Sequence, residues 1–150
     1  MDVKIISSPN NKSVFKKLCN IASNFKEGVH EAYIVIGRDL IRTNQKDFRA
    51  PKGGRIYNYR LNGRTIRHRA SAPGEPPALL TGKLEKSLSA KTSGFTSLTY
   101  SAGNEDVIYA GFLEYGTSKM APRPYLIKSI RDNQGNIIDN FYNHIGRRLK

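Results

Sequence analysis

The residues best able to do chemistry in this 150-residue chain are three histidines, one cysteine and twelve carboxylates. Their spacing argues against a reaction. His30, His68 and His144 lie far apart, with no two at metal-ligand spacing and no cysteine beside them. There is no Gly-x-Ser-x-Gly elbow and no Gly-x-x-x-x-Gly-Lys phosphate cradle. Gly116-Thr117-Ser118-Lys119 has the end of such a cradle without the glycine frame that lets backbone amides wrap a phosphate. The carboxylates are scattered, so no tight pair divides acid and base work. No catalytic residue, cofactor site or metal ligand is expected. One enzymatic alternative stays open, a small basic nuclease using His68 among its arginines, because such partners need only meet in space. Cys19 has no partner for a disulfide within the chain, and with Phe15 and Ala22 at helical spacing it is expected as a buried thiol.

Charge speaks more clearly than catalysis. The net charge is +13. Between Asp47 and Glu75 there is no acidic residue, while Arg49, Lys52, Arg55, Arg60, Arg64, Arg67 and Arg69 place seven of those charges in under a fifth of the chain. Such a stripe speeds association with acidic partners, whether nucleic acid or protein. Tyr57 and Tyr59 stand among these arginines. That mixture stacks on bases and clamps phosphates, and it also anchors protein interfaces. Composition leaves both open.

The elements that position these residues follow from periodicity. Residues 9 to about 43 predict one long helix, with Phe15, Leu18, Ala22, Phe25, Val29, Tyr33, Ile36 and Leu40 forming an apolar stripe expected in the core, a binding groove being the alternative. Ser8 is its expected N-cap, with Pro9 at the first helical position. Gly28 and Gly37 each cost roughly 1 kcal/mol inside a helix, so a bend or a close helix–sheet approach is expected there. A polar stretch, Asn44–Gly54, follows. Then Arg55–Leu61 and Arg64–Arg69 flank Asn62-Gly63, a pair of residues that tolerate positive φ and so close a tight hairpin. Alternation puts Tyr57, Tyr59 and Leu61 on one face, and on the return strand groups Arg67 with Arg69 and Ile66 with His68. A ribbon so rich in arginine cannot lie wholly within a core, and it is expected to project.

Ser71–Pro77 predicts a rigid extended connector, because its prolines remove backbone donors. A short helix over Thr81–Leu88 follows, capped by Thr81, with Leu84 and Leu88 inward. Phe95–Ala102 predicts a strand with Leu98 and Tyr100 on one face, and Val107–Ala110 is expected to pair back on it. Gly116 ends the next turn. After Pro124 a helix carries Leu126, Ile130, Ile137, Phe141 and Ile145, with Asp132–Asn136 marking a kink or break. The expected class is α+β: one domain, a long N-terminal and a C-terminal helix on a small, mainly antiparallel sheet, with a basic hairpin arm at about 55–70. No apolar run has bilayer-spanning length and no signal peptide opens the chain, so no membrane partner is expected and synthesis in a cytoplasm is.

Two segments carry a resemblance. One is Ala72-Pro73-Gly74-Glu75-Pro76-Pro77 leading into Thr81-Gly82-Lys83-Leu84. The other is Tyr109-Ala110-Gly111-Phe112-Leu113-Glu114-Tyr115-Gly116-Thr117, followed by Ala121-Pro122-Arg123-Pro124-Tyr125-Leu126. In this order and spacing, over roughly residues 72–130, they resemble the tail-completion or neck-protein family of long-tailed bacteriophages. The Asp132–Asn136 break departs from that pattern. The resemblance implies a virion protein without catalysis or cofactor, forming a ring of its own copies between the head connector and the tail-tube or tail-terminator proteins. It implies residence in the particle, after assembly in the host cytoplasm, with non-specific contact to packaged DNA. Two sets of residues would make contacts: the arm (Arg55, Tyr57, Tyr59, Arg60, Arg64, Arg67, Arg69) and the second motif (Glu114, Tyr115, Gly116, Thr117, Arg123, Pro124). Glu114 has a purely local alternative, pairing with Lys119 or Arg123. A sequence-tolerant nucleic-acid-binding protein is the second functional reading.

Overall fold

A computed structural model describes residues 11–150. The chain runs α1 (Lys12–Arg49), β1 (Ile56–Leu61), β2 (Arg64–Arg69), α2 (Lys83–Lys86), β3 (Ser89–Ser93), β4 (Ser97–Ser101), α3 (Ala110–Tyr115), α4 (Leu126–Asp132) and α5 (Gln134–Arg148). This is the expected α+β class. It contains two separate two-stranded antiparallel ribbons, β1–β2 and β3–β4. No helix among the described residues is long and apolar enough to cross a membrane. The Ser8–Pro9 start expected for the first helix lies outside the described residues.

The long helix extends past residue 43 to Arg49. The stripe continues from Leu40 through Asn44 to Phe48 at steps of four, but Asn44 is polar and hides the pattern. Asn44 is fully buried, and its side-chain amide donates to the Tyr100 hydroxyl, which itself donates to the Leu40 carbonyl at 3.2 Å. Phe48 packs edge-on against Tyr125, ring centres 5.4 Å apart. Ala50 then turns extended (ψ 151°) before Pro51, as a residue preceding proline must.

The body is organised along α1 in two clusters. In the first, Ala32, Ile36 and Leu40 meet Leu98 and Tyr100 of β4 and Ile137 and Phe141 of α5. In the second, Phe48 gathers Leu84, Val107, Ala110 and Tyr125. The two α1 glycines make these contacts close. A Cβ on Gly37 would lie 2.7 Å from the Cβ of Ala90 in β3, and one on Gly28 would lie 3.0 Å from the Cα of Ile145 in α5. At about 100° per residue these positions fall on opposite sides of the helix. The expected helix–sheet approach is therefore found at Gly37, and at Gly28 the close neighbour is a second helix. Helix α5 runs antiparallel to α1, with Asn140 bonded to Asp39 at 3.3 Å and Arg148 paired with Glu27 and Glu31.

Several expectations are corrected. The N-terminal half of the α1 stripe is not core: Phe15, Leu18 and Phe25 are exposed, and so is Cys19. The partner of β4 is β3, not Val107–Ala110. Those residues form a turn leading into α3, with Val107 and Ala110 buried against Phe48. The cap position of α2 is Gly82 (φ 76°), not Thr81. The C-terminal segment breaks at Asn133, whose side chain donates to the Ser129 carbonyl at 2.7 Å and to Thr43 of α1 at 3.0 Å. Ile130, expected in the seam, is exposed.

Candidate functional site: the projecting arm

The arm forms as its turn chemistry requires. Leu61 pairs with Arg64 across Asn62 (φ 50°) and Gly63 (φ 77°), a two-residue turn with both residues left-handed. The ladder continues past the strands, with Ala70 N–H donating to the Arg55 carbonyl at 3.0 Å and Gly54 N–H to the Ala70 carbonyl at 3.1 Å. Gly54 has no room for a side chain, since a Cβ would stand 2.4 Å from that carbonyl oxygen.

Two ties hold the base of the arm. The Glu75 carboxylate accepts Ala72 N–H at 2.8 Å and Gly53 N–H at 3.0 Å, joining the proline-rich connector to the arm's first residues. These two amides, Ala72 first, hold its pKa below the ordinary carboxylate range. Lys52 reaches back to the Asp47 carbonyl at 2.6 Å, and its pKa is lowered chiefly by burial.

Strand register divides the ribbon into two unlike faces. Tyr57 opposes His68, and Tyr59 opposes Ile66, so these four share a face with Leu61, Arg55 and Arg64. The rings of Tyr57 and Tyr59 lie 6.3 Å apart, and Tyr59 meets His68 edge-on at 6.0 Å. Arg60, Arg67 and Arg69 share the other face with Ile56, Asn58 and Thr65. Among the described residues none of the arm's arginines forms an ion pair. Tyr57 and Tyr59 remain more than 40% exposed. Tyr59 and His68 of this face line a cleft of about 340 Å³ together with Phe48, Leu79, Leu84 and Leu113 of the body.

The second motif is built differently from the arm. Glu114 is buried and pairs with neither Lys119 nor Arg123. Its carboxylate accepts three main-chain N–H groups at the start of α4: Tyr125 at 2.8 Å and Leu126 and Ile127 at 3.0 Å. These are the donors a helix start leaves without partners, so Glu114 caps α4 from outside it. Gly116 ends α3 with φ 77° and ψ −177°, outside the left-handed helical basin and in a region open to glycine. Thr117 and Met120 then exchange backbone hydrogen bonds of 2.8 and 3.2 Å. Arg123 N–H donates to the Leu113 carbonyl at 2.7 Å, and Pro124 is half-buried beside it. Tyr115 is 77% exposed, and Thr117 is exposed beside it. The Gly74 amide donates to the Pro122 carbonyl at 3.0 Å, bringing the two motifs together.

The histidines occupy three separate settings. His30 bonds the Gly94 carbonyl at 3.0 Å, His144 faces Glu31 at 3.7 Å, and His68 rests on Tyr59. Among the described residues no group of three or more His, Cys, Asp or Glu side chains could hold a metal ion. Two apolar faces are exposed, the first expected in the core and the second not singled out from the sequence. One is the outer half of the α1 stripe; the other is Ile108, Phe112 and Tyr115 beside Glu105 and Asp106. Their signal was present, as apolar residues at steps of three and four, but the same spacing marks a core helix.

Comparison with models of protein families, with curated proteins and with solved structures finds no match to this chain.

Proposed function

We propose that this chain is a non-enzymatic structural subunit of a long-tailed bacteriophage particle, assembling with its own copies into a ring between the head connector and the tail. The observation that carries this reading is the arm. A 38-residue helix and its packed partners form two core clusters to which the arm contributes no residue. The ribbon leaves Tyr57 and Tyr59 more than 40% exposed, a surface suited to cover by another subunit. In a ring each subunit offers different faces to its two neighbours, and an arm projecting from one side suits that geometry. The motif residues from Ala72 to Leu126 support the phage context through their resemblance to neck proteins. The assembled protein belongs in the virion, after synthesis in the host cytoplasm.

Deleting residues 55–70 tests the reading. The shortened chain is expected to fold with the helix content of the parent, while phage carrying it accumulate unjoined heads and tails. Global unfolding of the deletion would return the arm to the core. Absence of the protein from finished particles would remove the structural role.

The unpaired Arg60–Arg67–Arg69 face favours a second reading, a sequence-tolerant nucleic-acid-binding protein. It calls for tight DNA binding by the isolated chain that falls steeply with salt.

A further inference from the structure

The stripe that buries Val29, Ala32, Ile36 and Leu40 continues bare towards the N-terminus of α1. Its cover ends with α5, whose last turn pairs Arg148 with Glu27 at 3.2 Å and with Glu31. Beyond that point Val14, Phe15, Leu18, Ile21 and Phe25 are 44–59% exposed along one side of the helix. Lys17 flanks this seam and forms no ion pair among the described residues, whereas Lys12 and Lys16 stand towards the opposite side of the helix.

A second bare face lies at the other end of the molecule. Ile108, Phe112 and Tyr115 are 77%, 57% and 77% exposed and recur at steps of four and three. Glu105 and Asp106, also without ion pairs among the described residues, stand just before them. This face is fixed by Ala110, which packs in the Phe48 cluster. From Phe25 to Phe48 the helix rises roughly 35 Å at about 1.5 Å per residue. The two faces therefore cannot meet within one molecule.

We infer that the bare seam of α1 in one copy docks on the Ile108–Phe112–Tyr115 face of the next copy, with Lys17 against Glu105 and Asp106. Apolar surface meets apolar surface, and free positive charge meets free negative charge. Because the complementary faces sit at opposite ends, the contact is head-to-tail, the type that closes into rings when its rotation allows and otherwise builds filaments. Pairing of two α1 seams with each other would offer Lys17 no acidic partner and leave Glu105 and Asp106 unmatched, which favours the head-to-tail contact. The inference rests on the self-assembly reading above and names its surface.

Cys19 borders the seam and is the chain's single cysteine, so it reports on the contact. The Ile108→Cys variant is oxidised as purified full-length chain at high concentration and within phage particles. A ladder of dimers, trimers and larger species joined between Cys19 and the introduced thiol is expected, with the unmodified chain giving none. A dimer from the unmodified chain would mean that two seams pair symmetrically, and the inference falls. Rings that persist by mass without the ladder would overturn this contact and leave the proposed function standing. Strict monomers with no incorporation into particles would overturn both. Charge exchange supplies an independent readout: Lys17→Glu and Asp106→Lys should each weaken self-association about tenfold, and the double variant should recover it. Failure of the double variant to recover would also count against the contact, as would masking of the seam by residues 1–10, seen as stronger association when they are removed.

Discussion

Glu114 accepts the main-chain N–H of Tyr125 at 2.8 Å, and the same carboxylate takes the next two amides of the chain. One acidic side chain from α3 thus satisfies the start of α4 and fixes Tyr125 in the core, where its ring meets Phe48 and its hydroxyl donates to the Ala110 carbonyl at 3.3 Å. Burial pushes the Tyr125 phenol well above its ordinary range, so it stays a hydrogen-bond donor throughout the physiological range. Glu114→Ala leaves these buried amides without an acceptor and is expected to cost about 3 kcal/mol. Glu114→Gln keeps one acceptor oxygen and should cost about half as much. Urea unfolding checks both, with the midpoint falling and the slope unchanged.

Glycine substitutions separate close packing from helix propensity. Gly37→Ala gains roughly 1 kcal/mol of helix propensity, but its new methyl would stand 2.7 Å from the Ala90 Cβ, and the ribbon must move away. Overpacking of this kind costs about 1–3 kcal/mol, so a net loss of stability is expected. Gly146→Ala is the control, because nothing lies within 4 Å of the added Cβ. It should raise stability by about 0.5 kcal/mol. Thermal unfolding of the pair reads the opposite signs directly, and equal signs would deny the tight α1–β3 contact.

What could be read from the residues was whatever is decided locally. Asn62-Gly63 sets its own turn, so the arm's bounds and faces followed from a few neighbours. Leu98 and Tyr100 alternate with serine and threonine, which marked β4. Its partner β3, Ser-Ala-Lys-Thr-Ser, has one β-branched residue and no aromatic; it is a strand because β4 and Gly37 of α1 lie beside it. Asn44 looked like the end of a helix because its polarity is satisfied by Tyr100, 56 residues away. The Glu114 cap spans eleven residues and two helices. The bare α1 seam was mistaken for core because periodicity reports which side is apolar, not what covers it.

The tie at the arm's base should respond to acid. The folded-state pKa of Glu75 is depressed, so its contribution is fully present above the unfolded value, about 4.3, and is lost as pH falls through the lower folded value. At neutral pH the Gly53 and Ala72 amides stay bonded to the carboxylate. As pH falls through that lowered value they should lose this partner and the arm's base should loosen. The amide resonances of Gly53 and Ala72 are expected to titrate together, with a midpoint below that of a free glutamate. In Glu75→Gln this titration should vanish, and its survival would assign the change to another group.

The two faces of the arm can be tested apart, because strand register puts their side chains on opposite sides of one ribbon. Exchanging Tyr57 and Tyr59 together for alanine removes the aromatic face while leaving the Asn62-Gly63 turn and the Arg60–Arg67–Arg69 face in place. Under the structural reading this double variant folds as the parent does but fails to join heads to tails. Reversing Arg60, Arg67 and Arg69 to glutamate leaves the tyrosines and tests the charged face alone. If those three arginines neutralise phosphates, the slope of log affinity against log salt should fall by about 3, since each contact contributes close to one. Joining blocked by the tyrosine change, with DNA affinity unaltered, would make the aromatic face the docking surface. Joining that survives loss of both tyrosines, together with DNA binding abolished by the arginine change, would transfer the arm's role to nucleic acid.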